Sequence, residues 1–258
     1  MTSIQFLGTG GGRFVMLSQK RYTGGIWLES RGKHVAIDPG PGALIRCLEY
    51  GLDPKKLHAI LVSHNHLDHY NDAEILLEGM TASMNKRRGV LAANKSVLPY
   101  LSEYHKSFVD VIEFDSEKEF ELEGIRVETL PTFDHDNGFG FKFHTKDGVI
   151  TYGSDTNYNS ALSEYYKDSD LLILNVLRPA RDKIRKHLDS ADAEKLIAES
   201  QPKKAVLNHF GMKMLAAGPD RIAAEITKNT GIETIAARDG QVFDMDSAPE
   251  DQKSLVDY

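Results

Sequence analysis

Short apolar runs punctuated by glycine, proline and aspartate recur along this chain, between fewer segments whose apolar positions return at helical spacing. Residues 4–7, 26–29, 34–37, 57–62 and 90–93 read as strands, rich in apolar residues and bounded by turn formers. The segments 125–130 and 139–143 alternate with period two, and 149–152 follows the second of them through the turn Lys146-Asp147-Gly148. Residues 169–175 and 205–209 are nearly unbroken apolar runs, as expected of strands covered on both faces. Shorter strands are predicted around 232–236 and 241–243. Helices are predicted over 42–50, over 96–104, over 191–200 behind Asp and Ser caps, and over 219–230. Another should begin at Asn71, with Glu74 completing a capping box and Ile75, Leu76 and Leu77 on its buried side. The pattern is weakest over 81–120, where Met80, Met84, Lys86, Arg87 and Arg88 suit a substrate-facing flap and a surface loop equally. Strands, a polar strand-end loop and a helix occur in each half of the chain. This predicts an α/β fold in one domain over 1–258, with two packed sheets and helices outside them, a four-layer αββα sandwich. The polar tail from Asp244 is expected to be loose.

One stretch concentrates the chemistry. Directly after the strand at 57–62 come Ser63-His64-Asn65-His66-Leu67-Asp68-His69, three histidines and an aspartate within six residues. A strand ending at Val62 puts His64 at its open end, and the following turn lets His66, Asp68 and His69 curl back toward the same point. Neutral imidazole and carboxylate are the donors that hold Zn²⁺ and similar divalent ions. A solvated loop accounts poorly for this density beside a buried strand end. His135, Asp155 in Gly153-Ser154-Asp155-Thr156, and His209 also stand at strand ends. His144 falls on the polar phase of its strand and His105 has no companions nearby, so both read as surface residues. The glycine turn Gly8-Thr9-Gly10-Gly11-Gly12 matches neither the dinucleotide nor the P-loop spacing and reads as a tight turn.

His64-x-His66-x-Asp68-His69 behind an apolar strand resembles the signature of the metallo-β-lactamase superfamily, and the later elements extend the likeness over nearly the whole chain. Phe6-Leu7-Gly8-Thr9-Gly10 is similar to the first strand and loop of the ribonuclease Z branch, where the loop borders the active site. The resemblance implies two divalent ions, one held by His64, His66, His135 and Asp155, the other by Asp68, His69, His209 and the shared Asp155. The imidazole-rich donor set favours Zn²⁺, with Mn²⁺ or Fe as alternatives. Asp68 would also take a proton from a hydroxide bridging the ions. His187, just before a helix, resembles an extra histidine of the ribonuclease Z and cyclic-phosphate phosphodiesterase branches that acts on the phosphate or the leaving group. Asp68 and His187 are therefore the catalytic candidates, and Asp38, Ser63 and Arg21 are candidates for supporting the ligands or contacting substrate. The chain departs from ribonuclease Z in one respect: only twenty residues separate His135 from Asp155, too few for a protruding tRNA-binding arm.

Composition narrows the partners. With 258 residues, 41% hydrophobic and 27% charged, the chain is ordinary for a globular protein. A formal charge of −7 argues against a long polyanion, whose binding Lys and Arg would have to drive, yet allows a small anionic substrate at a cation site. The single Cys47 excludes an intrachain disulfide and falls in a helical run, where it reads as a small core residue. The start lacks a basic region followed by an apolar stretch, and no apolar run approaches ~18 residues. A cytoplasmic location without a membrane is expected, and a homodimer is left open. The expected activity is hydrolysis of a small or cyclic phosphodiester or a short nucleotide. Its rivals are a lactone or thioester hydrolase with the same centre, a metal-stabilised binding module, and a di-iron redox protein, in which a glutamate usually replaces one ligand histidine.

Overall fold

Two β-sheets carry the chain in the computed structural model, which describes residues 1–135 and 137–245. Most of the tail expected to be loose lies outside the described residues. The first half contributes β1 (Thr2–Phe6), β2 (Ile26–Ser30), β3 (Lys33–Ile37), β4 (Leu57–Val62), β5 (Val90–Asn94) and β6 (Asp110–Phe114). Then follow β7 (Glu119–Leu122), β8 (Ile125–Pro131), β9 (Phe139–Thr145), β10 (Gly148–Tyr152), β11 (Leu171–Arg178), β12 (Leu188–Asp189), β13 (Lys204–Asn208) and β14 (Thr234–Ala236). The last strand, β15 (Val242–Asp244), returns to the first sheet. The helices are α1 (Arg13–Ser18), α2 (Ala43–Glu49), α3 (Leu67–Tyr70), α4 (Ala73–Met80), α5 (Glu103–Lys106), α6 (Leu162–Tyr166), α7 (Ser190–Ser200), α8 (Met212–Ala217) and α9 (Pro219–Thr230).

The first sheet runs β15-β1-β2-β3-β4-β5-β6, antiparallel up to β3 and parallel beyond it. The second runs β14-β13-β11-β10-β9-β8-β7, parallel from β14 to β10 and antiparallel from there, with β12 paired to β11. Each half is thus a meander that feeds parallel strands, which is the two-fold repetition expected. Parallel neighbours need crossovers, and α2, α4, α6, α7 and α9 lie on them.

Side chains alternate along a strand, so a strand covered on both faces must be apolar throughout. In β4, Ala59 and Leu61 face the other sheet, in a core that joins Phe6, Leu28 and Ile37 to Val127, Phe141 and Phe143. Ile60 and Val62 face outward, under Cys47 of α2 and Leu76 and Leu77 of α4. On the opposite face of the molecule Leu172, Leu174 and Leu207 lie under Leu196 and Ile197 of α7 and Ile222 and Ile226 of α9. This is the αββα arrangement. Among the described residues no helix is long and apolar enough to cross a membrane.

The departures from expectation fall mostly in 81–120. Strands β6 and β7 were not legible because both are sheet edges whose residues are largely exposed and include Asp110, Glu113, Glu119 and Glu121. Charge on an edge blocks pairing with another chain and erases the apolar pattern. The helix expected over 96–104 shrinks to α5, which begins only after Pro99, where the Ser102 side chain accepts from the Tyr104 and His105 N–H groups. Asn71 does not cap α4. Asp72 occupies that position and its carboxylate accepts instead from the Gly42 and Leu44 N–H groups at the start of α2, while Glu74 accepts from Ser102 N–H. These acids are used for tertiary contacts, so the capping box is absent. Met80 and Met84 are buried, Arg88 donates to the Met80 and Leu57 carbonyls, and Arg87 pairs with Asp110, so this segment is not a flap. His105 is partly buried between Glu74 (3.3 Å) and Glu78 (3.2 Å), whereas His144 lies beside Glu128 on the polar side of β9.

Candidate metal centre

The C-terminal ends of β3, β4, β8, β10 and β13 converge at one edge of the sandwich, and each supplies a polar side chain just beyond its last residues. From the first sheet comes a tightly pinned group. Asp38, buried and at φ 50°, accepts from Ser63 N–H (2.7 Å), Ser63 Oγ–H (2.6 Å) and Tyr152 O–H (2.8 Å), and lies 2.9 Å from His69 Nδ1. Because the Ser63 proton is committed to Asp38, the 2.9 Å contact between Ser63 Oγ and His64 Nδ1 makes His64 Nδ1 the donor. Ser63 and Asp38 thus engage the Nδ1 atoms of His64 and His69 and leave both Nε2 atoms facing inward, the usual support for a ligating imidazole. His66 precedes the short helix α3, which turns Asp68 and His69 back beneath it. His66 Nδ1 comes 3.1 Å from His64 Nε2, and Gly12 N–H donates to Asp68 Oδ2 at 2.8 Å.

The second sheet adds His135, Asp155 and His209. Asp155 is the hub: its Oδ2 lies 3.4 Å from His69 Nε2, 3.9 Å from His64 Nε2, 4.0 Å from His135 Nε2 and 3.4 Å from His187 Nδ1, and its Oδ1 3.5 Å from His209 Nδ1. His209 Nε2 is 3.1 Å from His69 Nε2 and 3.3 Å from Asp68 Oδ2. Asn175 donates to Asp155 Oδ1 (2.8 Å) and itself accepts from Asn208 (3.2 Å). Ser154 and His209 both sit at positive φ, 54° and 61°, a conformation uncommon outside glycine and concentrated at functional sites.

Burial dominates the electrostatics. It pushes His64 well below the usual imidazole range and His135 down to about 4, and it lowers His66 and His187. Burial alone would raise Asp155, but His209, His69 and His187 hold it well below the usual carboxylate range, and a hydrogen bond from His209 together with His69 does the same for Asp68. His69 is opposed by burial yet raised by Asp155 and Asp38 on either side of it. The site is therefore ionised carboxylate and mostly neutral imidazole, the protonation state that a cation requires.

The residues fit metal ions. Ligand atoms of His64, His66, His135 and Asp155 lie within 4.8 Å of one another, as do those of Asp68, His69 and His209, and those of Asp155, His187 and His209. Both ring nitrogens of His135 and Nδ1 of His209 are buried without a hydrogen-bond partner. Orphaned buried nitrogens are costly unless something absent from the protein chain satisfies them. Imidazole pairs meeting at 3.1 Å have the spacing of donors around a common cation.

Residues 33–210 match the beta-lactamase superfamily domain. The chain belongs to the metallo-β-lactamase superfamily. Within it, the chain is 37% identical over 251 residues to an uncharacterised protein of Methanocaldococcus jannaschii, covering 92% of each. It is 26% identical over 149 residues to ribonuclease Z of Sulfolobus acidocaldarius, covering 57% of this chain and 50% of that enzyme. In fold it is similar to the metallo-β-lactamase fold protein YhfI of Bacillus subtilis, with TM-score 0.79 at 20% identity over 94% of this chain and 98% of that one. It is also similar to a diphosphatase of the PhnP family, with TM-score 0.70 at 19% identity over 95% and 98%. The chain is thus a metallo-β-lactamase-fold hydrolase with a His/Asp cluster suited to metal.

A cleft of about 830 Å³ opens onto this superfamily site, with His66, Asp68, Asp155 and His187 in its wall. Of the residues singled out from sequence, His64, His66, Asp68, His69, His135, Asp155, His187, His209, Asp38 and Ser63 converge here. Arg21 does not. Its guanidinium donates to Thr9 Oγ1 (3.0 Å) and the Ala237 carbonyl (3.4 Å), bracing the glycine turn from behind rather than meeting substrate. That turn lies against the site: a Cβ on Gly11 would come within 2.1 Å of His209 Nδ1. Sequence reasoning missed Tyr152, Asn175 and Asn208. The signal for the two asparagines was present, since each interrupts an otherwise apolar strand, Asn175 within β11 and Asn208 at the last position of β13. Tyr152 is fully buried, which together with Asp38 raises its pKa well above the usual value and keeps it a donor.

Proposed function

We propose that this hydrolase cleaves a small phosphodiester. The observation that carries the proposal is His187, an imidazole in the cleft wall beside Asp155, which neither of the two expected ligand groups requires. A carbonyl substrate offers a single oxygen, which the metals can polarise, whereas a phosphoryl substrate presents further oxygens for such a group to hydrogen-bond. Divalent ions held by His64, His66, His135 and Asp155 and by Asp68, His69, His209 and Asp155 would supply Lewis acidity and an acidified water. Water adds to phosphorus, the ester P–O bond breaks, and the alcohol leaves with a proton, giving a phosphomonoester. Because burial lowers its pKa, His187 acts as a neutral donor of one N–H to a phosphate or leaving-group oxygen. Asp68, oriented by Gly12 N–H, holds a ligand position and accepts a proton from the attacking water.

Three further features support a small substrate. The diphosphatase of the PhnP family shares the fold. Residues 139–152 between His135 and Asp155 form the β9–β10 hairpin inside the sheet, which supports a small substrate over tRNA. The rim of the cleft carries Arg13, Arg178 and Lys213 on a chain of net charge −7, a local positive field sized for one anion. The test is hydrolysis of bis-p-nitrophenyl phosphate, cyclic phosphates and lactones by protein loaded with Zn²⁺ or Mn²⁺. His187→Ala should cut kcat on diesters by about 10²–10⁴ with metal content unchanged. Lactone hydrolysis indifferent to His187 and no diester turnover would sink the proposal, and loss of metal from His187→Ala would move His187 into the ligand set.

A further inference from the structure

The mouth of the cleft is apolar in a way that folding does not explain. Five of the twelve exposed large apolar side chains among the described residues line it: Phe14 and Leu17 of α1, Leu67 of α3, Ile184, and Met212 of α8. They come from four separate segments, so no single helix face accounts for them. Phe14 and Leu17 are each 79% exposed and three residues apart on one face of α1, while Val15 between them is buried. Scattered exposed apolar residues such as Leu48 or Val111 are ordinary, but five that line one cleft mark what the cleft receives. Alongside them stand Arg13, Arg178 and Lys213; Arg178 and Lys213 share Asp182 at 3.1 and 2.9 Å, so the rim keeps a positive balance.

From this geometry we infer that the substrate is an amphiphile: an anionic phosphate ester whose esterified group is an alkyl chain or aromatic ring lying against Phe14, Leu17 and Leu67. This rests on the phosphodiester proposal for the anion and goes beyond it by naming the group attached to it. A volume of about 830 Å³ falls in the upper part of the range for small-molecule clefts, about 300–1,000 Å³, so it accommodates such a molecule alongside the phosphate. The cleft places cationic and apolar contacts side by side, matching the two ends of such an ester. A second copy of the chain fits the patch less well, because a two-fold interface over this mouth would bring two copies of the same positively balanced rim together.

The experiment compares methylphosphonate with octylphosphonate binding to the metal-loaded protein by calorimetry, and hydrolysis of methyl with octyl p-nitrophenyl phosphate. Octylphosphonate should bind at least about tenfold more tightly, and the octyl diester should show the lower KM. The double substitution F14S and L17S should remove most of that difference, whereas L48S, at an exposed apolar position of α2 that does not line the cleft, should keep it. Equal binding of the two phosphonates overturns the inference, as does an octyl preference untouched by F14S and L17S. A dimer in light scattering that F14S and L17S dissociate also overturns it, by giving the patch to a second copy. Tighter octylphosphonate binding that F14S and L17S abolish, with no diester hydrolysed, removes the phosphodiesterase proposal but leaves the amphiphile assignment standing.

Discussion

The two sheets build opposite sides of one site by different means. On the first, His64 and His69 are pinned: each has its Nδ1 hydrogen-bonded, to Ser63 and to Asp38, so that a network aims Nε2 inward. On the second, His135 has no hydrogen bond at either nitrogen, and His209 has none at Nδ1 while its Nε2 meets the ligand atoms of His69 and Asp68, so packing and a backbone at φ 61° in His209 hold the rings from behind. Gly11 leaves the space that the His209 ring fills, and a Cβ on Gly138 would come within 3.1 Å of His135 Nδ1. Pinned ligands keep their aim without a cation. Packed ligands need one, because only an ion compensates nitrogens that are buried and unpartnered.

Asp155 joins the two sides, so removing it should have the largest effect. Asp155→Ala is expected to lower kcat/KM by on the order of 10³ or more and to reduce bound metal, measured by elemental analysis beside kinetics. Chelation with EDTA should abolish activity equally and lower the Tm of the native protein by about 5–10 °C, with little shift left in Asp155→Ala. Identical melting of native protein with and without EDTA would remove the metal from the account.

On the pinned side, Asp38→Asn should cost about 10–100-fold in metal affinity or activity, because the amide cannot accept from Ser63, His69 and Tyr152 together. On the packed side, Gly11→Ala tests the steric argument alone. Its Cβ meets the His209 ring at 2.1 Å, and a loss of about tenfold in metal affinity is expected with the fold retained. The smallest effect belongs to Asn175→Ala, a few-fold in kcat, since Asp155 keeps its imidazole neighbours when that one amide is lost. If Gly11→Ala bound metal normally while Asp38→Asn did not, the packed side would be as self-supporting as the pinned one, and the contrast would fail.

Legibility followed sequence distance and burial. Strands β4, β11 and β13 were plain because both their faces are covered, leaving continuous apolar runs. Edge strands β6 and β7 were hidden by their own charges. The 64–69 cluster announced itself because its ligands are contiguous, while His135, Asp155 and His209 became meaningful only through the resemblance that ordered them. Arg21 shows the opposite error: a conspicuous cation near a glycine turn proved to brace Thr9 and Ala237.

What the chain determined locally is the alternation that makes two covered sheets, and a strand end carrying imidazoles and a carboxylate too dense to be a bare loop. What only the tertiary structure decided is which distant polar groups share that strand end. Tyr152 reaches Asp38 across the sheet interface, Asn175 supports Asp155 from a neighbouring strand, and α1 lays Phe14 and Leu17 at the cleft mouth. Local periodicity reports whether a residue faces inward, but a hydrogen bond between residues 114 apart in sequence depends on how the sheets are stacked, and no local pattern encodes that.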